Sequence, residues 1–199
     1  MNEDRFEFLS KKLQSLRDAS SFRSRRPYDH DGVYLVEASS DAAAETRTPK
    51  RLLNFGSNDY LGLAQSHASS LAEFAKLPAG AGASALVSGY TSLHHRLCKM
   101  LAEWEQTQAA VIFPSGYAAC SGTVATLAEE GDLLLSDQLN HASLIDGCRA
   151  SYATRFVYPH ADLRAVGELL RTHRHKHARA WIITDGVFGM DGDVAPLEG

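Results

Sequence analysis

Cysteine is sparse in this chain: Cys98, Cys120 and Cys148 are an odd number, widely spaced, with no Cys-x-x-Cys. That argues against a disulfide framework and against a zinc site, and leaves the thiols as small apolar packing groups. No apolar run approaches membrane-spanning length, and the start, Met1-Asn-Glu-Asp-Arg-Phe6, is acidic where a signal or transit peptide would be basic and then apolar. The expected compartment is therefore the bacterial-type cytoplasm, with no membrane partner. Basic charge is also thin. Lys and Arg are scattered except at Arg23-Ser-Arg25-Arg26, and the formal net charge is −4, so there is no broad basic surface for nucleic acid. Neither a Gly-x-Gly-x-x-Gly nor a Walker-type loop is present. His173-Arg-His-Lys-His177 alternates imidazole with positive charge just past an amphipathic helix, which reads as a solvated helix end favoured by the dipole and gives no metal site.

What is present is an alternation of elements. The 199 residues are 44% hydrophobic and 22% charged, enough to bury one sizeable core. Phe6, Leu9, Leu13 and Leu16 recur at helical spacing, predicting an amphipathic helix over the first twenty or so residues that ends near Pro27. Val33–Val36 and Leu52–Phe55 read as short strands of a hairpin, joined by the polar surface loop Ser39–Lys50. Further on, Leu93, Leu97, Met100, Leu101 and Trp104 mark a helix. Strand-like Ala110–Phe113 follows, then a helix from Gly116 to Ala128, a strand at Leu133–Leu135, a helix over 142–150 and a strand at 155–158. A helix from Asp162, its N-cap, to His173 precedes a last strand at Ala180–Thr184. The pattern implies an α/β fold: a mostly parallel sheet with helices on both faces, preceded by a helical arm and β-hairpin over residues 1–56.

In such a sheet ligands sit at the carboxyl ends of the strands, which turns attention to the residues there. Ala109-Ala-Val-Ile-Phe-Pro-Ser-Gly-Tyr-Ala-Ala-Cys120 is an apolar run that stops at Ser115-Gly116-Tyr117 and gives way to small residues of helical character. The first amides of that helix have no intrahelical partner and carry its positive dipole end, so a phosphate can sit on them without a basic side chain. Asp137, Asn140-His141 and the Gly-rich acidic turn Asp185–Asp193 lie at the other strand ends. His141 is the candidate functional imidazole. Asp191-Gly-Asp193 reads as a turn former, since the fuller calcium-loop pattern is missing.

Six ordered motifs then resemble one family. Ser57-Asn-Asp-Tyr-Leu-Gly-Leu63, Gly80-Ala-Gly-Ala-Ser84, Val87-Ser-Gly-Tyr90 followed by His94, Ser115-Gly-Tyr-Ala-Ala119, Asn140-His-Ala-Ser-Leu144 and Thr184-Asp-Gly-Val-Phe-Gly-Met-Asp-Gly-Asp193 occur in the order seen in the α-oxoamine synthases. These are pyridoxal 5'-phosphate (PLP) enzymes of the aspartate-aminotransferase fold, fold type I. The resemblance implies that residues 57–199 are the first part of the cofactor-binding large domain. It further implies that Gly116 and Tyr117 hold the cofactor phosphate, and that His141 stacks on the pyridine ring as catalytic, cofactor-binding and substrate-binding residue. Arg23, with Arg25 or Arg26 as alternatives, takes the acyl substrate's carboxylate, and Asn58 lies near the amino-acid carboxylate. Gly80–Ser84 and Val87–Tyr90 look most like the branch that joins L-alanine to a pimeloyl thioester, carried by coenzyme A or acyl carrier protein, in biotin synthesis. Branches that use glycine to make aminoketobutyrate or aminolevulinate are close alternatives. A non-catalytic partner subunit and a phosphate-ligand binding module are further ones.

The sequence also departs from the family. Gly189 stands where a serine is usual, and Cys98 where a glutamate is. Past the Met-Asp-Gly-Asp turn the family continues to an aspartate that pairs with the pyridine nitrogen, a histidine, and the lysine that carries the cofactor. None of Lys11, Lys12, Lys50, Lys76, Lys99 and Lys176 stands in a matching Thr-x-x-Lys context. The expectation is that these residues alone are inactive and poorly soluble, and that the full-length enzyme is a homodimer.

Overall fold

The structure is a computed structural model, and it describes residues 7–25, 27–37, 50–63 and 80–198. The chain falls into two compact units, Met1–Pro78 and Ala79–Gly199, so the division comes later than the expected one after residue 56.

In the first unit, α1 spans Glu7–Asp18. It stops well short of Pro27 because Ser20 takes a left-handed conformation, φ 52°. The Ser20 amide then donates to the Arg17 carbonyl at 2.9 Å and the Ser21 amide to the Leu16 carbonyl at 2.8 Å, the bond pair that closes a helix C-terminus. An antiparallel meander follows: β1 (Tyr28–Asp31), β2 (Tyr34–Glu37) and β3 (Arg51–Leu53), in the order β1-β2-β3. The expected hairpin is the β2–β3 pair, registered Leu35 to Leu52. Strand β1 was not expected, since Tyr-Asp-His-Asp has no apolar alternation. It forms because Asp31 pairs with Tyr34 across a two-residue turn in which Gly32 has φ +62°, the positive value such hairpin turns favour. Phe6 and most of the expected loop 39–50 lie outside the described residues.

The second unit opens with a single π-turn, Ala85–Gly89, capped by the Ser84 hydroxyl. Helix α2 (Ser92–Trp104) follows, started by a capping box in which His94 Nδ1 accepts from the Thr91 amide at 3.2 Å. The expected strand Ala110–Phe113 does not form. It finds no ladder partner among the described residues, and Val111 is 77% exposed. Strand propensity describes how residues fit a sheet, and without a neighbouring edge there is no sheet to fit.

The remaining elements arise where the sequence places them: α3 (Gly116–Leu127), β4 (Leu133–Asp137), α4 (Ala142–Ala150), β5 (Thr154–Tyr158), α5 (Leu163–His173) and β6 (Ala180–Ile183). Asp162 caps α5 by accepting from the Ala165 amide at 2.9 Å. The three strands are parallel in the order β5-β4-β6, with Leu134 opposite Arg155 on one side and Trp181 on the other. Central β4 is buried throughout, and its alternation divides the core. Leu134 packs with Val124, Ala128 and Cys148 of the α3/α4 layer, whereas Leu133 and Leu135 pack with Tyr158 and Val166 toward α5. A strand buried on both faces reads as a continuous apolar run, as Leu133-Leu-Leu135 does.

Candidate functional site

Helix α3 begins with an N-cap that leaves its first amides open. Ser115, extended at φ −160° and ψ 159°, accepts from the Ala118 amide at 3.1 Å through its hydroxyl and from the Ala119 amide at 3.0 Å through its carbonyl. The amides of Gly116 and Tyr117 have no acceptor among the described residues, and both residues are exposed. A Cβ built on Gly116 would meet nothing within 4 Å. Two unsatisfied donors at the positive end of a twelve-residue helix, facing open space, form an anion cradle.

The cradle is tied to α4. Tyr117 donates its hydroxyl to Asp146 Oδ2 at 2.6 Å, which raises the phenol's pKa and lowers the carboxylate's. Deeper in the same contact Gly147 lies against α3 so closely that an added Cβ would stand 2.9 Å from Val124 Cβ and 3.0 Å from the Ser121 carbonyl oxygen. Only a residue without a side chain lets the two helices meet there.

His141 is the N-cap of α4, four residues past the carboxyl end of β4. Its Nδ1 accepts from the Ser143 amide at 3.2 Å and lies 2.7 Å from the Ser143 hydroxyl. An Nδ1 that accepts from an amide places the proton of a neutral imidazole on Nε2. The His141 amide donates to Asp185 Oδ2 at 2.6 Å. Asn140, 5% exposed, completes the junction: its Nδ2 donates to the Ile183 carbonyl at 2.8 Å and the Ser136 hydroxyl at 3.1 Å, and its Oδ1 accepts from the Asp185 amide at 3.0 Å. The ends of β4 and β6 are thus locked together beneath an imidazole whose ring is exposed.

A second imidazole sits nearby in sequence terms but was not singled out by it. His160, at the carboxyl end of β5, binds Asp137 Oδ1 through Nδ1 at 3.0 Å and Asp193 Oδ2 through Nε2 at 2.6 Å. Hydrogen bonds donated to Asp193 and then to Asp137 raise the His160 pKa. Burial pushes the Asp137 carboxyl up, but the amides of Ala161 and Leu139 together with His160 outweigh it and hold that pKa below its ordinary value. Asp193 closes the turn after β6, where the Phe188 amide donates to the Asp193 carbonyl at 2.9 Å and Gly192 has φ +77°. The signal that could have found His160 is its place at a strand end, the rule that picked out His141.

Gly116, Tyr117 and His141 all belong to the second unit, linked through the α3/α4 contact. Arg23 and Asn58 belong to the first. Arg23 lies exposed between α1 and β1, and Asn58 lies exposed after β3, within a turn where the Asp59 amide donates to the Ser57 hydroxyl at 3.0 Å. Around the His173–His177 stretch, His173 stacks on Phe156 at 4.3 Å and Arg174 donates to the His177 carbonyl at 2.7 Å.

The sequence pattern of the aminotransferase class I and II family matches residues 50–199. The chain belongs to that family. Among curated relatives it is similar to the 8-amino-7-oxononanoate synthase of Alkaliphilus metalliredigens, 37% identical over an aligned length of 203 that covers 98% of this chain and 48% of the relative. A protein of Thermosynechococcus vestitus provisionally given the same name is 43% identical over 198 residues, with the same shares of each chain. This chain therefore spans about half the length of the curated relatives it matches. Among solved structures, serine palmitoyltransferase from S. paucimobilis superposes with a TM-score of 0.78 at 23% identity, covering 100% of this chain and 50% of that one. That likeness shows the fold: the first half of a fold type I chain. The 8-amino-7-oxononanoate synthase of Francisella tularensis matches with a TM-score of 0.57 at 26% identity, over 72% of this chain and 40% of that one. The resemblance to α-oxoamine synthases carried by the six motifs is thus met by relatives of that type.

The residues present fit PLP. Two unpartnered amides at a helix start suit its phosphate, and an exposed imidazole whose Nδ1 is already engaged suits its flat ring. Among the described residues no helix is long and apolar enough to cross a membrane.

Proposed function

We propose that this chain is the PLP-binding, N-terminal half of an 8-amino-7-oxononanoate synthase, an acyltransferase that condenses L-alanine with a pimeloyl thioester, with decarboxylation, in the cytoplasm. The observation that carries the proposal is the pairing of the open amides of Gly116 and Tyr117 with the imidazole of His141 across the α3/α4 contact.

When bound, PLP supplies an electron sink for the bonds at the amino-acid α-carbon. The chain's own residues would do the rest of what these 199 positions can do. The amides of Gly116 and Tyr117 would hold the phosphate and so fix one end of the cofactor. His141 would stack its ring on the pyridine and so orient the cofactor. With Nδ1 taken by Ser143, His141 Nε2–H is left to donate to the amino-acid carboxylate. The family resemblance assigns Asn58 to the amino-acid carboxylate and Arg23, whose planar guanidinium suits a bidentate pair, to the carboxylate of the acyl substrate. The lysine that carries the cofactor comes from outside these residues in this reading, and the whole protein works as a homodimer.

Titration of the chain with PLP and, separately, with ATP tests the reading. PLP is expected to bind with a shifted visible band and ATP to leave the protein unchanged, while His141→Ala weakens PLP binding by about tenfold, or ~1.4 kcal/mol. Binding of ATP in preference to PLP, or a His141→Ala variant that binds PLP as the parent does, would overturn it.

A further inference from the structure

We propose that Asp185 is a positioning residue for the cofactor ring: its carboxylate, bound to the backbone amide of His141, fixes the imidazole in its stacking orientation. The inference rests on the reading that residues 116, 117 and 141 hold PLP.

A stacking side chain can set the plane of a ligand only if its own backbone and its own ring are both held. The ring of His141 is held locally, by Ser143 two residues on. That bond ties it to α4 and to nothing else. The backbone of His141 is held from a distance of 44 residues by Asp185 Oδ2, at 2.6 Å. The interaction is charge-assisted and lies at the first turn of α4, where the helix dipole favours a carboxylate. Asp185 is in turn held, because its amide donates to Asn140 Oδ1 at 3.0 Å. His141 and Asp185 therefore sit in a closed loop of two bonds through Asn140, anchored to both β4 and β6. Without the carboxylate, the ring would follow any shift of the α4 start relative to the sheet.

The loop also says what removal should spare. Asn140 keeps its own bonds to Ser136 and Ile183 whatever stands at 185, so the strand ends stay joined. Asp185 is only half-buried, and its loss opens no core cavity. Its effect should fall on ring orientation rather than on folding.

The test compares the intact protein with Asp185→Ala, Asp185→Asn, His141→Ala and the double variant His141→Ala/Asp185→Ala, each freed of cofactor and titrated with PLP. Two quantities are read, the dissociation constant and the visible circular dichroism of bound PLP, which reports ring orientation. Asp185→Ala is expected to weaken binding about tenfold and to lose most of the dichroism at saturation. Asp185→Asn, which retains an acceptor oxygen, should keep the dichroism. In the His141→Ala background the second substitution should add nothing. If the alanine variant does not fold, Asp185→Ser, too short to reach the amide, gives the same comparison. Parent-like dichroism and affinity in Asp185→Ala overturn the inference, as does a full further loss in the His141→Ala background. Failure of the parent protein to bind PLP overturns the reading of the site itself, and this inference with it.

Discussion

At the scale of single residues, Gly189 is the departure with the most direct consequence. It stands where the resembled family has a serine, its φ is not positive, and a Cβ there would meet nothing within 4 Å. Gly189→Ser should therefore be accommodated and restore a hydroxyl toward the cofactor, tightening PLP binding by about 0.5–1.5 kcal/mol, the net worth of one hydrogen bond. Calorimetric titration of both forms checks this, and unchanged or weaker binding would show that the hydroxyl has no partner. His160 gives a pH dependence. Its pKa is raised by Asp193 and Asp137, so the protonated ring is the form that favours the folded turn. That contribution is complete below the ordinary value of 6.5 and is lost as pH rises through the raised value. Protection of the Phe188 and Gly192 amides against hydrogen exchange, corrected for intrinsic rate, should fall across that interval. In His160→Gln it should be low and flat.

At the scale of elements, the second unit was legible because its helices announce their own ends. Ser115, His141 and Asp162 each occupy an N-cap and accept from an amide two or three residues on, and the helices they start run within a residue of the expected limits. What was not legible depended on partners. Ala110–Phe113 has strand composition and no strand beside it, whereas Tyr28–Asp31 lacks that composition and becomes a strand because β2 is beside it. In the candidate site the same division holds. Gly116, Tyr117 and His141 were marked by local signals, a helix start and a strand end. The Asp185 bond to His141 and the Asp193 bond to His160 span 44 and 33 residues, and no local pattern encodes them. The contact between α3 and α4 is a test at this scale. Even Gly147→Ala would put a Cβ 2.9 Å from Val124 Cβ, so the helices must separate, at about 1–3 kcal/mol of overpacking strain. Urea melts should show that loss despite alanine's better helix propensity, and a neutral result would mean that the helices can slide apart at no cost.

At the scale of the molecule, the second unit is closed at opposite ends of its sheet by two different devices, each with a carboxylate whose pKa is lowered, and the one at the amino end offers the cleaner acid test. At the carboxyl end Asn140, Asp185 and His160 join the strands. At the amino end a fully buried Asp132 receives Arg179 Nε at 3.0 Å, Trp181 Nε1 at 3.0 Å and the Glu129 amide at 3.1 Å, while Arg179 also binds Glu129. The bonds from Arg179 and Trp181 bring the Asp132 pKa down from 3.8 to about 2. A carboxylate whose pKa is lowered on folding stabilises the native state above its unfolded value, and that contribution disappears as pH falls from about 4 toward 2. The melting temperature of the unit should therefore drop steeply over that window. Asp132→Asn should begin lower at neutral pH, because Arg179 loses its buried partner, and should then fall less between pH 4 and pH 2 than the parent. Parallel melting curves for the two proteins across the acid range would mean that the stability of this sheet does not pass through Asp132.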